Sequence, residues 1–229
     1  MATLKVMNKF ISFIARSRFI HNLSSFFVNK IPLFILHNFS KYFCIRKILY
    51  SINIDDVDGD YCEFGCFTGA SLNHALNAYK IYMKNRKMNF YGFDSFEGFP
   101  IEVHNEFKSE NFKPDYEMVK KLEKKFSNCT IVKGFFDKTL KDEKISKSIN
   151  KISFAFVDCD LAYSAKSVFE FIKPRLSYGA YIMIDDYFNI DKNRNSISQS
   201  INEFFEVDKD IFVHSYFGNG GIVFKYFKK

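Results

Sequence analysis

The sequence predicts an α/β fold in which a seven-stranded, mostly parallel sheet ends in an antiparallel last strand and is preceded by a helical extension. Three observations carry this. From residue 60 onward, short apolar runs rich in Val, Ile, Phe and Tyr alternate with longer stretches of helical period, as strands joined by crossover helices do. The last two runs are separated only by Phe217-Gly218-Asn219-Gly220, too short for a crossover helix, so the strands they predict form a hairpin. The first 54 residues contain no Asp or Glu and follow another pattern.

A chain of 229 residues holds one sizeable core and would be cramped with two, so the expected organisation is an extension over 1–54 and one domain over 55–229. With 47% hydrophobic and 26% charged residues, a disordered chain is excluded. The 30 Phe and absent Trp read as codon bias and carry no functional message.

The extension has eight basic residues: Lys5, Lys9, Arg16, Arg18, Lys30, Lys41, Arg46 and Lys47. The body is nearly neutral, its 25 remaining basic residues facing 26 acidic ones. That distribution argues against nucleic acid as a partner. It fits helices that cover the body, meet a second subunit in a homo-oligomer, or touch an anionic membrane surface peripherally. Apolar positions 10, 13, 14, 20, 23 and 27 give the extension an amphipathic helical period. Its apolar runs at 10–15 and 31–36 fall far short of the roughly 18 residues of a spanning helix, and Arg16 and Arg18 interrupt any signal-peptide core. The odd set Cys44, Cys62, Cys66, Cys129 and Cys159 has no C-x-x-C spacing and reads as reduced thiols, so the expected location is cytoplasmic. Cys62 and Cys66 with His74 form a conceivable metal set, but apolar packing accounts for them.

Within the body the expected strands are 60–66, 89–94, 129–134, 152–158, 179–185, 210–216 and 221–227. The expected helices are 69–84, 114–127, 138–149, 161–173 and 194–206, with Pro114 at a helix start and Pro174 just past a helix end.

The first strand runs into a glycine turn and then a helix: Asp60-Tyr-Cys-Glu63-Phe-Gly65-Cys-Phe-Thr-Gly69-Ala-Ser71. Gly65 permits the tight turn and Gly69 permits a ligand's close approach at the helix start. The glycines are four apart and Phe67 stands where a dinucleotide-binding loop has glycine, so a pyrophosphate would have little room. Glu63, two residues before the first glycine, suits the amino group of an amino-acid-like ligand such as S-adenosylmethionine. Glu63, Gly65, Gly69 and Ser71 are therefore candidate cofactor positions. The second strand ends in Asp94-Ser95-Phe96-Glu97-Gly98-Phe99-Pro100, where an acid accepts from the paired hydroxyls of a ribose; Asp94 and Ser95 are the candidates. Phe96 could flank an adenine or serve the core. At the third junction, Gly134 and Phe135 could wall the adenine, and Asp137 could be simply a helix N-cap.

The fourth and fifth strands end in acid: Ile152-Ser-Phe-Ala-Phe-Val-Asp158-Cys-Asp160 and Tyr178-Gly-Ala-Tyr-Ile-Met-Ile-Asp185-Asp186. Asp158 and Asp160 are two apart and in an extended segment point to one side. Four carboxylates at adjacent strand ends repel unless a cation or a shared proton compensates, and hard oxygen ligands select Mg²⁺ or a similar divalent ion.

In order and spacing, Glu63-Phe-Gly65, Phe93-Asp94-Ser-Phe-Glu-Gly98-Phe-Pro100, Gly134-Phe-Phe-Asp137-Lys-Thr-Leu140, Val157-Asp158-Cys-Asp160-Leu161 and Pro174-Arg-Leu-Ser-Tyr-Gly179 through Asp185-Asp186-Tyr187 resemble the macrocin O-methyltransferase family. The resemblance spans residues 59 to about 190. It implies a Rossmann-like class I methyltransferase fold, S-adenosyl-L-methionine as methyl donor, Mg²⁺ dependence, and a sugar hydroxyl of a small-molecule acceptor, such as a glycan precursor, nucleotide sugar or glycosylated natural product. Asp158, Asp185 and Asp186 match the metal ligands of that family, and Asp160 matches its general base. Asp158 also falls among the cofactor positions. Cys159 replaces the usual Gly of the Asp-Gly-Asp segment, and Ala162 departs from the pattern after Leu161. The basic extension could draw a phosphate-bearing acceptor. A rival reading takes Asp158-Cys159-Asp160 as the D-x-D of a metal-dependent glycosyltransferase, which leaves Glu63 and Asp94 without a task.

Overall fold

The computed structural model describes residues 13–14, 16–83, 85–98, 113–188, 190 and 194–228. Position 10 of the apolar period and residues 99–100 of the second motif lie outside them. Two helices, α1 (Arg18–Val28) and α2 (Leu33–Ile54), precede the sheet, and the body runs β1 (Asp60–Phe64), α3 (Ala70–Tyr82), β2 (Phe90–Asp94), α4 (Tyr116–Lys125), β3 (Cys129–Lys133), α5 (Phe136–Thr139), α6 (Glu143–Ser148), β4 (Ile152–Val157), α7 (Ala162–Ile172), β5 (Leu176–Ile184), α8 (Ile197–Asn202), β6 (Ile211–Phe217) and β7 (Gly221–Tyr226). The seven strands lie in the order β3-β2-β1-β4-β5-β7-β6. Only β7 opposes its neighbours, as the four-residue connection after β6 requires.

Both faces of the sheet are covered, which explains why its strands read as continuous apolar runs. Alternation sorts their residues. Phe154, Phe156, Tyr181 and Met183 join the core under α2, α3 and α4, while Ala155, Val157, Ile182 and Ile184 join the core under α7 and α8. The second half of α2 contributes Cys44, Ile45, Ile48, Leu49 and Ile52 to the first core, so this part of the basic segment is fastened to the body. By contrast α1 buries no side chain and exposes Phe19, Phe26 and Phe27. Among the described residues no single helix is long and apolar enough to cross a membrane.

Four expectations need correction. The helix expected at 138–149 is two short ones, because Asp142 accepts from the amides of Lys144 and Ile145 and starts α6 afresh. Asp137 is no cap; it lies within α5, whose N-cap is Phe135. The helix expected to start at Pro114 begins at Tyr116, where Asp115 is the capping side chain. Strand β5 starts at Leu176, not 179, because Gly179, at φ 85°, lets the chain bulge: Ile152 pairs with Leu176 but Phe154 with Tyr181.

Candidate active site

A parallel sheet brings the C-terminal ends of β1, β2, β4 and β5 to one edge, and the order reverses beside β1, where a crevice opens. A cavity at that edge is lined by seven of the expected residues: Gly65, Asp94, Ser95, Gly134, Phe135, Asp158 and Asp160. Phe67, Gly98, Phe136, Cys159, Leu161 and Ser164 complete it.

Asp94 organises one wall. Its Oδ2 accepts from the Phe67 amide and its Oδ1 from the Phe96 amide, both at 2.8 Å. Phe67 and Phe96 have φ of 44° and 57°, a region that strains any residue with a Cβ, so one carboxylate holds two strained turns. Burial raises the Asp94 carboxyl while the two amides lower it. Phe96 is buried and meets Tyr116 edge-on at 5.0 Å, which makes it a core residue rather than an adenine wall.

Glu63, Gly69 and Ser71 lie outside the cavity lining. Glu63 is fully buried beside the turn; Tyr61 donates to its Oε2 and Ser71 to its Oε1, each at 2.5 Å. Burial pushes its carboxyl up to about 7 against those two hydrogen bonds. The acid therefore ties β1 to the start of α3, and its oxygens are engaged before any ligand arrives. At Gly69 the close approach is made by α4: an added Cβ would lie 3.0 Å from Leu122 and 3.1 Å from Val119. Gly65 is constrained by the backbone of its neighbour strand, since an added Cβ would stand 1.7 Å from the carbonyl oxygen of Asp158.

The acids gather as expected, although the chain between the first two is not extended. Strand β4 stops at Val157 and the backbone turns at Asp160, φ 55°. One oxygen each of Asp158, Asp185 and Asp186 lies within 4.8 Å of the others. Two unit charges at that separation repel by roughly 3 kcal/mol at an effective dielectric near 20. Two devices relieve this. Lys41, on α2, places Nζ 3.0 Å from Asp158 Oδ2 and 2.6 Å from Asp185 Oδ2. Asp160 and Asp186 share a hydrogen bond, and burial raises Asp160 to about 6 and Asp186 to about 8, so near neutral pH the pair keeps a proton, held mainly by Asp186.

His37, one turn before Lys41, accepts from the Asn219 amide through Nδ1, so its proton is on Nε2, which stands 3.3 Å from Asp185 Oδ2. Burial works to raise Asp185, but the His37 hydrogen bond and the Lys41 charge outweigh it and hold this carboxyl below its ordinary value. Asp158, pushed up by burial and by Asp185, is the less acidic of the two. A second cavity opens beyond the acids between Phe34, His37, Asn38, Asp185, Asp186, Asn219 and Gly220. One acid cluster thus supplies lining residues to two cavities, Asp158 and Asp160 to the first and Asp185 and Asp186 to the second.

The sequence profile of the family Macrocin-O-methyltransferase (TylF) matches residues 41–213, well over half of the chain. This chain belongs to the macrocin O-methyltransferase family. It is accordingly an S-adenosylmethionine-dependent O-methyltransferase. Family membership also removes the glycosyltransferase reading of Asp158-Cys159-Asp160. Among solved structures the fold is similar to the calicheamicin methyltransferase CalS11, with TM-score 0.67 and 18% identity over 97% of this chain and 91% of that one. It is also similar to the O-methyltransferase NovP, with TM-score 0.66 and 18% identity over 82% and 80% of the two chains. No curated protein sequence matches.

The residues present fit the divalent cation that the family resemblance implies. Asp158, Asp185 and Asp186 offer the hard oxygen donors that Mg²⁺ takes. Asp185 Oδ1, buried and 3.1 Å from His37 Nε2, receives no aligned hydrogen bond, which leaves one acceptor of this carboxylate unused. Sequence reading had not placed Lys41 or His37 in this site. The only signal was the i, i+4 spacing of two basic side chains in a segment without acids.

Proposed function

We propose that the enzyme moves the methyl group of S-adenosylmethionine to a sugar hydroxyl, with the help of a divalent cation held by Asp158, Asp185 and Asp186. The observation that carries the reading is one acid cluster shared by two cavities: Asp158 and Asp160 line the cavity under Asp94, which would take the donor, while Asp185 and Asp186 line the second. An acceptor lodged against Phe34, Asn38 and Asn219 would present a hydroxyl to the same acid cluster that borders the donor's cavity, where transfer needs the hydroxyl oxygen and the methyl group to meet in line. Asp160 would take the hydroxyl proton. Burial has raised it to about 6, which makes it a better base than an ordinary carboxylate while leaving it largely ionised near neutral pH. When bound, the cation would stabilise the negative charge growing on the hydroxyl oxygen.

The sugar class is supported by the family's description and by a second CalS11 structure, described as a TDP-rhamnose 3'-O-methyltransferase (TM-score 0.61, 19% identity, 97% and 93% coverage). A nucleotide sugar is accordingly the first acceptor to try. The test measures methyl transfer to a panel of nucleotide sugars and unphosphorylated glycosides, before and after metal removal. EDTA should abolish turnover and added Mg²⁺ should restore it, and Asp160→Asn should lower kcat by about 10²–10⁴. Full turnover in EDTA, or a near-native Asp160→Asn, would overturn the reading.

A further inference from the structure

Lys41 occupies the acid cluster in a way the proposed chemistry does not use. Its ammonium is nearly buried, with side-chain exposure of 12%, and bridges two of the three carboxylates assigned to the cation. Its helix is anchored on the same side, where Gly218 donates its amide to Ser40 Oγ at 3.0 Å and Asn219 donates to His37 Nδ1 at 3.2 Å. Lys41 Nζ already stands 3.0 Å from Asp158 Oδ2 and 2.6 Å from Asp185 Oδ2, so a divalent ion on the same two carboxylates would be repelled by the ammonium and would have to share their charge with it.

We infer that Lys41 is a tethered cation that competes with the divalent ion for Asp158 and Asp185. Loading the ion expels the ammonium and loosens the turn of α2 that carries His37 and Lys41. Because His37 and Asn38 line the second cavity, the same event reshapes that cavity. This inference rests on the metal-site reading above, and the experiment separates the two.

Mg²⁺ or Mn²⁺ is titrated calorimetrically into the full chain and its Lys41→Met and Lys47→Met variants, each checked for folding by circular dichroism. Lys47 is exposed on the same helix, so its loss removes the same charge without touching the acids. Lys41→Met should bind the metal about tenfold more tightly, as expected where the competent state is about one-tenth populated in the native protein; Lys47→Met should match the native chain. Equal or weaker binding by Lys41→Met, or an equal gain in Lys47→Met, would overturn the competition alone. No binding by any of the three would overturn it together with the metal site. Should Lys41→Met fail to fold, amide exchange in the native chain decides: Mg²⁺ should speed exchange over residues 37–43, and unchanged protection would refute displacement.

Discussion

Replacing Asp94 with Asn tests whether one carboxylate holds the donor wall together. The side chain keeps its size and loses one acceptor. Of the two amides now held at 2.8 Å, Phe67's and Phe96's, one would face an NH₂ group and lose its partner. A hydrogen bond to a charged group contributes about 1.5–3 kcal/mol, and the freed residue would relax from a left-handed conformation that costs about 1–2 kcal/mol. The second quantity is recovered on release, but only by dismantling the turn that shapes the cavity. Asp94→Asn should therefore lower ligand-free stability by about 2 kcal/mol, a fall of about 4–8 °C in Tm for a chain of this size. Asp94→Ala, which frees both amides, should lose about twice as much. Urea unfolding without ligand gives the stability, and calorimetry with S-adenosylmethionine should show affinity down at least about tenfold on the proposal that this cavity takes the donor, since the remaining wall is misplaced. If Asp94→Asn unfolds within about 0.5 kcal/mol of the native chain, below the range of the hydrogen bond it removes, the clamp is wrong.

Two further outcomes follow from the same geometry. In EDTA, stability should fall as pH rises from about 4 to 8: the folded protein keeps Asp160 at about 6 and Asp186 at about 8, both above their ordinary value of 3.8, so it binds more protons than the unfolded chain across that window. Thermal melts should show the upper part of that slope flatten in Asp186→Asn, and a native profile with no slope would contradict the shared proton. Gly65→Ala should cost more than about 3 kcal/mol or prevent folding, because its Cβ would stand 1.7 Å from a backbone oxygen that β4 cannot withdraw. Soluble Gly65→Ala of native Tm would refute that placement of β1 against β4.

Sequence reading found the sheet because each strand is a short apolar run, and found the acids because each pair directly follows one of those runs. It could not tell a ligand-binding acid from a buried one. Glu63 shares a strand face with Tyr61, two residues back, and the hydroxyls of Tyr61 and Ser71 satisfy it, a pairing visible only once α3 folds over β1. Helix boundaries failed where a local cap competed with the helical period, as at Asp142. Lys41 was illegible for another reason. Its partners lie 117 and 144 positions away, and exposed Phe39 and Phe43 flank it, so hydropathy along α2 gives no hint of the face that turns inward. Charge reasoning did require a cation or a shared proton near the four acids; nothing local indicated that the chain would bring a cation of its own.

The anchoring of α2 to the turn between β6 and β7 makes one cavity depend on segments far apart in the chain. His37 and Ser40 are fixed by amides of residues 218 and 219, about 180 positions later. The cavity under Asp94 is lined entirely by residues between 65 and 164. The second cavity includes Asn219 and Gly220 and is complete only when the final hairpin closes. Losing the hairpin would remove two lining residues of the second cavity and both amide anchors of α2, while every residue that lines the first cavity would still be present.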